Sequence, residues 1–129
     1  MRLHHVQLSC PPGGEDAARR FWRDGLGLTE VPKPTDLAGR GGCWFRGYAD
    51  SGGEAATVEV HVGVEEDFRP ARRAHPALLL DDVAALESVV DRLGDLGFEA
   101  DWAERHTFPG FERAHVRDAH GNRVELLAP

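Results

Sequence analysis

Residues Thr57 to Val64 alternate without a break, with Val58, Val60, Val62 and Val64 on one face and Thr57, Glu59, His61 and Gly63 on the other. Period two with β-branched residues predicts a strand. The valine face has to cover a core, which leaves a carboxylate and an imidazole facing the other way. Shorter stretches of similar character predict strands over residues 2–9, 27–32, 42–47, 75–80, 98–102, 113–117 and 123–127. Two segments switch to helical spacing. Residues 15–25 place Ala18, Phe21, Trp22 and Gly25 on one side, with Glu15 and Asp16 in the first turn, where the helix dipole favours acids. Residues 82–96 carry a stripe of Val83, Leu86, Val89, Val90, Leu93 and Leu96. Asp81 or Asp82 can cap that helix, and Gly97 can take the left-handed conformation that ends it.

The predicted order is β-α-β-β-β, twice. His5 and His75 stand seventy positions apart, each opening a strand ahead of a helix, and Gly27 and Gly97 are separated by the same interval. The triplets Val58-Glu59-Val60 and Val124-Glu125-Leu126 are sixty-six apart, a difference that loop lengths absorb. The repetition predicts a single α+β domain built from two modules, about residues 1–64 and 75–129. Residues 65–74, with Pro70 and three arginines, form the joint. Four strands and one helix are too little to stand alone, so the modules should pack as one unit or exchange between chains.

Composition narrows the function classes. The 129 residues include 15 Lys and Arg against 22 Asp and Glu, a net charge of −7 with histidines neutral. That balance argues against nucleic acid, whose phosphates require clustered cations. The longest apolar runs, such as Ala77-Leu78-Leu79-Leu80, are too short to span a bilayer. The first residues lack the apolar core of a signal peptide, and Cys10 and Cys43 form neither a disulfide framework nor a CxxC pair. The expectation is a soluble cytoplasmic protein.

The strand faces then bring the chemistry together. If the valine and leucine faces pack against the helices, His5, His61 (with Glu59), His75 and Glu125 all point the other way, and sheet curvature would gather them into one cleft. Imidazole and carboxylate are the ligands of Zn, Ni, Mn, Co and non-haem Fe, and a carboxylate at such a centre can also act as general base. A lone strand histidine is more often a half-buried, satisfied side chain. Four polar groups matched by an internal two-fold are different, because groups facing one cleft need partners.

The chain resembles the vicinal oxygen chelate superfamily of glyoxalases, bleomycin-resistance proteins and extradiol dioxygenases. The resemblance runs over nearly the whole length. It is carried by Leu3-His4-His5-Val6-Gln7-Leu8, by Phe21-Trp22 with Gly25-Leu26-Gly27-Leu28-Thr29-Glu30-Val31-Pro32-Lys33-Pro34, and by Gly41-Gly42-Cys43-Trp44-Phe45. It continues through Val60-His61-Val62-Gly63-Val64, Phe68-Arg69-Pro70-Ala71, Ala74-His75-Pro76-Ala77 and Pro109-Gly110-Phe111, and closes with Asp118-Ala119-His120-Gly121-Asn122-Arg123-Val124-Glu125-Leu126. These motifs are specific for the superfamily and not for one reaction.

The resemblance implies paired βαβββ modules forming a cupped mixed sheet with helices outside, usually completed by a second subunit as a homodimer. It also implies a divalent metal ion in the cup. The implied ligands fall on His5, His75 and Glu125, with Glu125 also the catalytic carboxylate. The fourth-strand ligand falls on Glu59 by a Val-Glu-Leu-like context or on His61 by a Leu-His-Leu-Gly-Val-like one, and His61 is favoured narrowly. Asp118-Ala119-His120-Gly121-Asn122 departs from the family's Asp-Pro-x-Gly-Asn turn, which bears on the fine position of Glu125. The implied function is a metal-dependent lyase, isomerase or dioxygenase acting on a small oxygen-chelating substrate. The alternative is a metal-free drug-binding protein of the bleomycin-resistance type.

Other features read as scaffold. Residues 39–42 suggest a turn before a strand, Trp44 a core wall or subunit contact, and Arg113, His115 and Arg117 a solvated basic face that would favour an anionic substrate if it bordered the cup. His4, His106 and His120 carry no pattern and are expected at the surface, with Arg69, Arg72 and Arg73 on an exposed joint.

Overall fold

The valine row seen in the sequence becomes the centre of the first sheet. In the computed structural model, which describes residues 1–49 and 55–129, the long strand spans Ala56–Val64 and is the fourth in chain order, β4. It pairs in parallel with β1 (Val6–Cys10) and antiparallel with β3 (Cys43–Tyr48), which in turn pairs with β2 (Thr29–Val31), giving the order β1-β4-β3-β2. The second half repeats this as β5-β8-β7-β6, from β5 (Ala77–Leu79), β6 (Ala100–Asp101), β7 (Glu112–Arg117) and β8 (Arg123–Ala128). Each sheet is mixed, with one parallel and two antiparallel pairings.

Strand alternation divides each sheet. Leu8, Cys10, Cys43, Phe45, Val60 and Val62 are buried from the first sheet, and Val116, Val124, Leu126 and Ala128 from the second, all in one cluster with the helices. The first helix begins as α1 (Glu15–Arg19) and continues over Arg20–Gly25 as a π-helical turn. That widened turn seats Phe21 and Trp22 wholly in the core, and Phe21 meets Phe98 edge-on at 5.1 Å. The long helix, α3 (Val83–Asp95), starts at Asp82, whose carboxylate accepts the Ala85 N–H at 2.8 Å, and Gly97 ends it with φ +86°. Arg92 Nε donates to the Gly25 carbonyl at 2.6 Å, so the two helices hold one another and the modules share one core.

Several strands are shorter than their patterns predict. β1 starts at Val6, because Met1 and Leu3 find no core and stay exposed. β5 has three residues, since Pro76 offers no N–H to a ladder, although its carbonyl still accepts from Glu125 N at 3.0 Å. A short helix unseen in the sequence, α2 (Thr35–Ala38), fills the connection from β2 to β3. It leads to Gly41 and Gly42, both at positive φ; a Cβ on Gly42 would lie 2.1 Å from the Val62 carbonyl oxygen.

The Asp118–Asn122 turn does more than close a hairpin. Asp118 Oδ1 accepts from the backbone N–H of His120 and of Asn122, both at 2.9 Å. Asn122 Nδ2 donates to Asp118 Oδ2 at 2.8 Å and to the Ser9 carbonyl of β1 at 2.9 Å, while Asn122 Oδ1 accepts from Ala71 N at 3.3 Å. His120, expected at the surface, is half-buried and reaches the Gly14 carbonyl at 2.8 Å. No helix among the described residues is long and apolar enough to cross a membrane.

Replacing Asn122 with Ala strands the Ser9 carbonyl and the Ala71 N–H together. Asn122→Ala is therefore expected to cost about 2–3 kcal/mol of stability, read from urea unfolding.

Candidate metal centre

The faces turned away from the helices carry two polar clusters, one on each sheet. On the first, the register sets Trp44 opposite His61, Arg46 opposite Glu59 and Gln7 opposite His61. The rings form a stack: Trp44 lies on His61 at 3.7 Å between centroids with planes 2° apart, and His5 covers the other side at 4.2 Å. His61 Nε2–H donates to Glu59 Oε1 at 2.8 Å, and Arg46 Nε donates to Glu59 Oε2 at 2.9 Å. With both oxygens engaged, Arg46 first and His61 second hold the Glu59 carboxyl down at about 2. His61 itself is pushed below the usual histidine value by burial, helped by neighbouring His5 and opposed by Glu59.

On the second sheet, β7 and β8 place His115 directly opposite Glu125. His75, one step before Pro76, brings Nε2 to 3.1 Å from Glu125 Oε2. Donor atoms of His75, His115 and Glu125 all lie within 4.8 Å of one another. Arg113 Nη1 donates to Glu125 Oε1 at 2.9 Å and Arg123 Nη2 donates to His115 Nε2 at 2.8 Å. Burial raises the Glu125 carboxyl, but the Arg113 guanidinium, helped by the His75 ring, outweighs it and keeps the group below its ordinary value. Burial, then Arg123, lowers His115, so its ring is neutral and accepts from Arg123 through Nε2.

The hydrogen bonding of His75 tests whether this donor set suits a cation. His75 Nδ1 lies 2.6 Å from the Arg73 carbonyl, which can only accept, so Nδ1 carries the proton of a neutral ring. In a neutral ring Nε2 then faces the carboxylate oxygen with a lone pair, whereas a doubly protonated ring donates to both the Arg73 carbonyl and Glu125. Two acceptors at 3.1 Å repel unless a proton or a metal cation lies between them, and a backbone carbonyl on Nδ1 is the usual outer support of a histidine that ligates through Nε2. The pair fits a metal ion.

The sequence-predicted residues therefore fall into two pairs. The structure brings His75 to Glu125 and His5 to His61. Among the described residues, no hydrogen bond, ion pair or ring contact joins one pair to the other within the chain. Glu59 lies beside His61 rather than replacing it. His115 and Arg113, expected on a solvated face, are largely buried against Glu125, with side-chain exposures of 10% and 18%. Only Arg117 of that strand face is exposed. Trp44, expected as a core wall or subunit contact, stacks on His61 on the polar face. A signal for His115 was available: a hairpin centred on His120 sets residue 115 against 125.

The layout, two four-stranded mixed sheets with helices on one side and paired histidine–carboxylate clusters on the other, defines a glyoxalase-type fold. Residues 2–126 match the Glyoxalase/Bleomycin resistance protein/Dioxygenase superfamily, and the chain belongs to that superfamily. It is similar to a glyoxalase-family protein from Bacillus anthracis at 36% identity and TM-score 0.77, covering 99% of this chain and 98% of the other. At fold level it also resembles a lactoylglutathione lyase from Agrobacterium tumefaciens (21% identity, TM-score 0.67, 98% and 92% covered). A genomically encoded fosfomycin resistance protein from Listeria monocytogenes is a further fold relative (13% identity, TM-score 0.73, 100% and 93% covered). No curated protein matches the chain.

The Glu59 carboxylate gives a pH test. Its folded value lies below the unfolded one, so the stability it contributes is complete above about 4.5 and is lost as pH falls toward about 2. Carboxyl NMR of metal-free protein should show Glu59 still ionised at pH 4, and Arg46→Gln should move its midpoint upward.

Proposed function

We propose that the protein is a divalent-metal-dependent enzyme acting on a small substrate with two neighbouring oxygens, by lyase, isomerase or dioxygenase chemistry. The observation that carries this reading is the approach of His75 Nε2 to the Glu125 carboxylate at 3.1 Å, with Nδ1 held on the Arg73 carbonyl. His75 and Glu125 would hold the ion together with His5 and His61, and the imidazole-rich set suits Zn, Ni, Mn, Co or Fe. When bound, the ion supplies Lewis-acid polarisation of the substrate oxygens. His61 is preferred to Glu59 because both Glu59 oxygens are already engaged, by Arg46 and by His61 itself.

The chain's own groups supply the rest. Glu125 is ionised at neutral pH, Arg113 holds its Oε1 and so fixes the direction of Oε2, and that oxygen could take a proton from substrate once released from the ion. Trp44 and His5 hold the His61 ring from both sides. The separation of the two pairs within one chain supports a centre shared in a homodimer, in which His5 and His61 meet the partner subunit's His75 and Glu125.

One observation favours the metal-free reading, a small-molecule binder of the bleomycin-resistance type. Arg113 and Arg123 already bond to Glu125 and His115, and two guanidinium groups oppose a dication nearby.

Protein purified without an affinity tag is expected to carry about one metal ion per chain. Chelation should lower its melting temperature, and His75→Ala or Glu125→Gln should abolish metal uptake. Protons compete for the histidine ligands, so metal affinity should fall as pH drops below about 6.5. Absence of bound metal, with melting indifferent to chelator and to added Zn or Ni, moves the assignment to the binder. Mixing His5→Ala with His75→Ala subunits should restore one site per dimer if the centre is shared; no recovery would place it within one chain.

A further inference from the structure

The polar face of the first sheet also holds a pocket of about 210 Å³ beside the ring stack. Gly63 contributes to its floor because it has no side chain; a Cβ there would meet the Gln7 amide nitrogen at 2.9 Å. The connection containing α2 folds over it, contributing Lys33, Leu37 and Arg40, and the Trp44 indole forms a wall. Trp44 is also the ring stacked on His61, and Gln7 is the register partner of His61, so the pocket lies one residue from the first-sheet histidines.

Its charge is unusual for this chain. Net charge is −7, yet among the described residues two cationic side chains and no carboxylate line the pocket. Arg19, Arg46, Arg105 and Arg113 have carboxylate partners, while Arg20, Arg92 and Arg117 donate to backbone carbonyls. Lys33 likewise donates to a neutral carbonyl, that of Gly41, and the exposed Arg40 has no side-chain hydrogen bond or ion pair among the described residues. Glu15, close behind Gly41, is engaged with the Gly42 N–H at 3.0 Å and does not line the pocket. Lys33 and Arg40 line the same pocket, so an anion bound there would meet both charges.

We propose that this pocket takes the carboxylate of a small organic acid, and hence that the substrate of the proposed centre is an acid. Lys33 and Arg40 pair with the carboxylate, the Gln7 amide donates to it, and Leu37 and Trp44 cover a short hydrocarbon or ring body. At about 210 Å³ the pocket lies below the range that drug-sized ligands fill, which suits a small body. The inference rests on the proposed metal centre only in calling the acid a substrate; binding of the acid does not require the metal.

The test uses chelator-treated full-length protein titrated with benzoate and with benzamide, its neutral counterpart. Binding is followed by calorimetry and by the Trp44 indole N–H resonance, assigned by its loss in Trp44→Phe. Saturable benzoate binding that shifts this resonance is expected, with benzamide at least about tenfold weaker. Lys33→Gln and Arg40→Gln should each weaken benzoate about tenfold, with unchanged melting showing that the fold is kept. Equal binding of both probes, or benzoate affinity indifferent to both variants, overturns the proposal, as does affinity that instead follows Arg69 or Arg123. Metal uptake measured in parallel separates the two readings: a chain that takes no metal yet binds benzoate in this way upholds the acid site and removes only the centre. A chain that takes metal but ignores benzoate removes the acid site alone.

Discussion

Asn122 ties the two halves of this protein together at their polar edge, beside the shared core. Its amide nitrogen spans Asp118 in its own turn and the Ser9 carbonyl of β1, and its oxygen takes the Ala71 N–H of the joint. Buried polar groups this fully satisfied are rigid, because every alternative arrangement leaves one of them unpaired in a dry environment. The consequences reach the candidate centre by short paths. The turn sets the β7–β8 register that places His115 opposite Glu125, and Ala71 lies four residues before His75. The Asp118-Ala119-His120-Gly121-Asn122 departure from the family's proline-containing turn is compatible with this geometry, since Gly121 supplies the left-handed residue at φ +87°.

The two sheets treat a carboxylate on the polar face in different ways. Glu59 has both oxygens engaged by Arg46 and His61, an arrangement that fixes a negative charge and the orientation of an imidazole. Glu125 is divided: Arg113 takes one oxygen, while the other faces a histidine nitrogen with no proton to offer in its neutral form. The first is a closed network and the second an open one. That asymmetry is why the proposed chemistry centres on Glu125, with the first sheet contributing oriented rings.

Much of this was legible in the residue pattern because local periodicity reports which face of a strand is dry. The alternation from Thr57 to Val64 and the helical stripe from Val83 to Leu96 both reappear, and so does the repeated order of elements. The repeat placed His75 and Glu125 on polar strand faces, where the sequence expected them to meet His5 and His61 in one cleft. The π-helical turn over Arg20–Gly25 and the short α2 were not, since each depends on packing rather than spacing. Arg113 and His115 looked like a solvated basic face because a strand pattern says which residues share a side, not whether that side meets water.

By itself the sequence determined the α+β class, the two-fold repetition of its elements and the division of each strand into apolar and polar faces, all of which follow from short-range order along the chain. Only tertiary structure decided that His5 and His61 form one pair and His75 and Glu125 another, that arginines rather than water surround Glu125, and that α2 encloses a cationic pocket. Those outcomes depend on cross-strand register and on contacts between residues as far apart as Ser9 and Asn122. Such distances are set by how the modules pack, a quantity to which no local period corresponds.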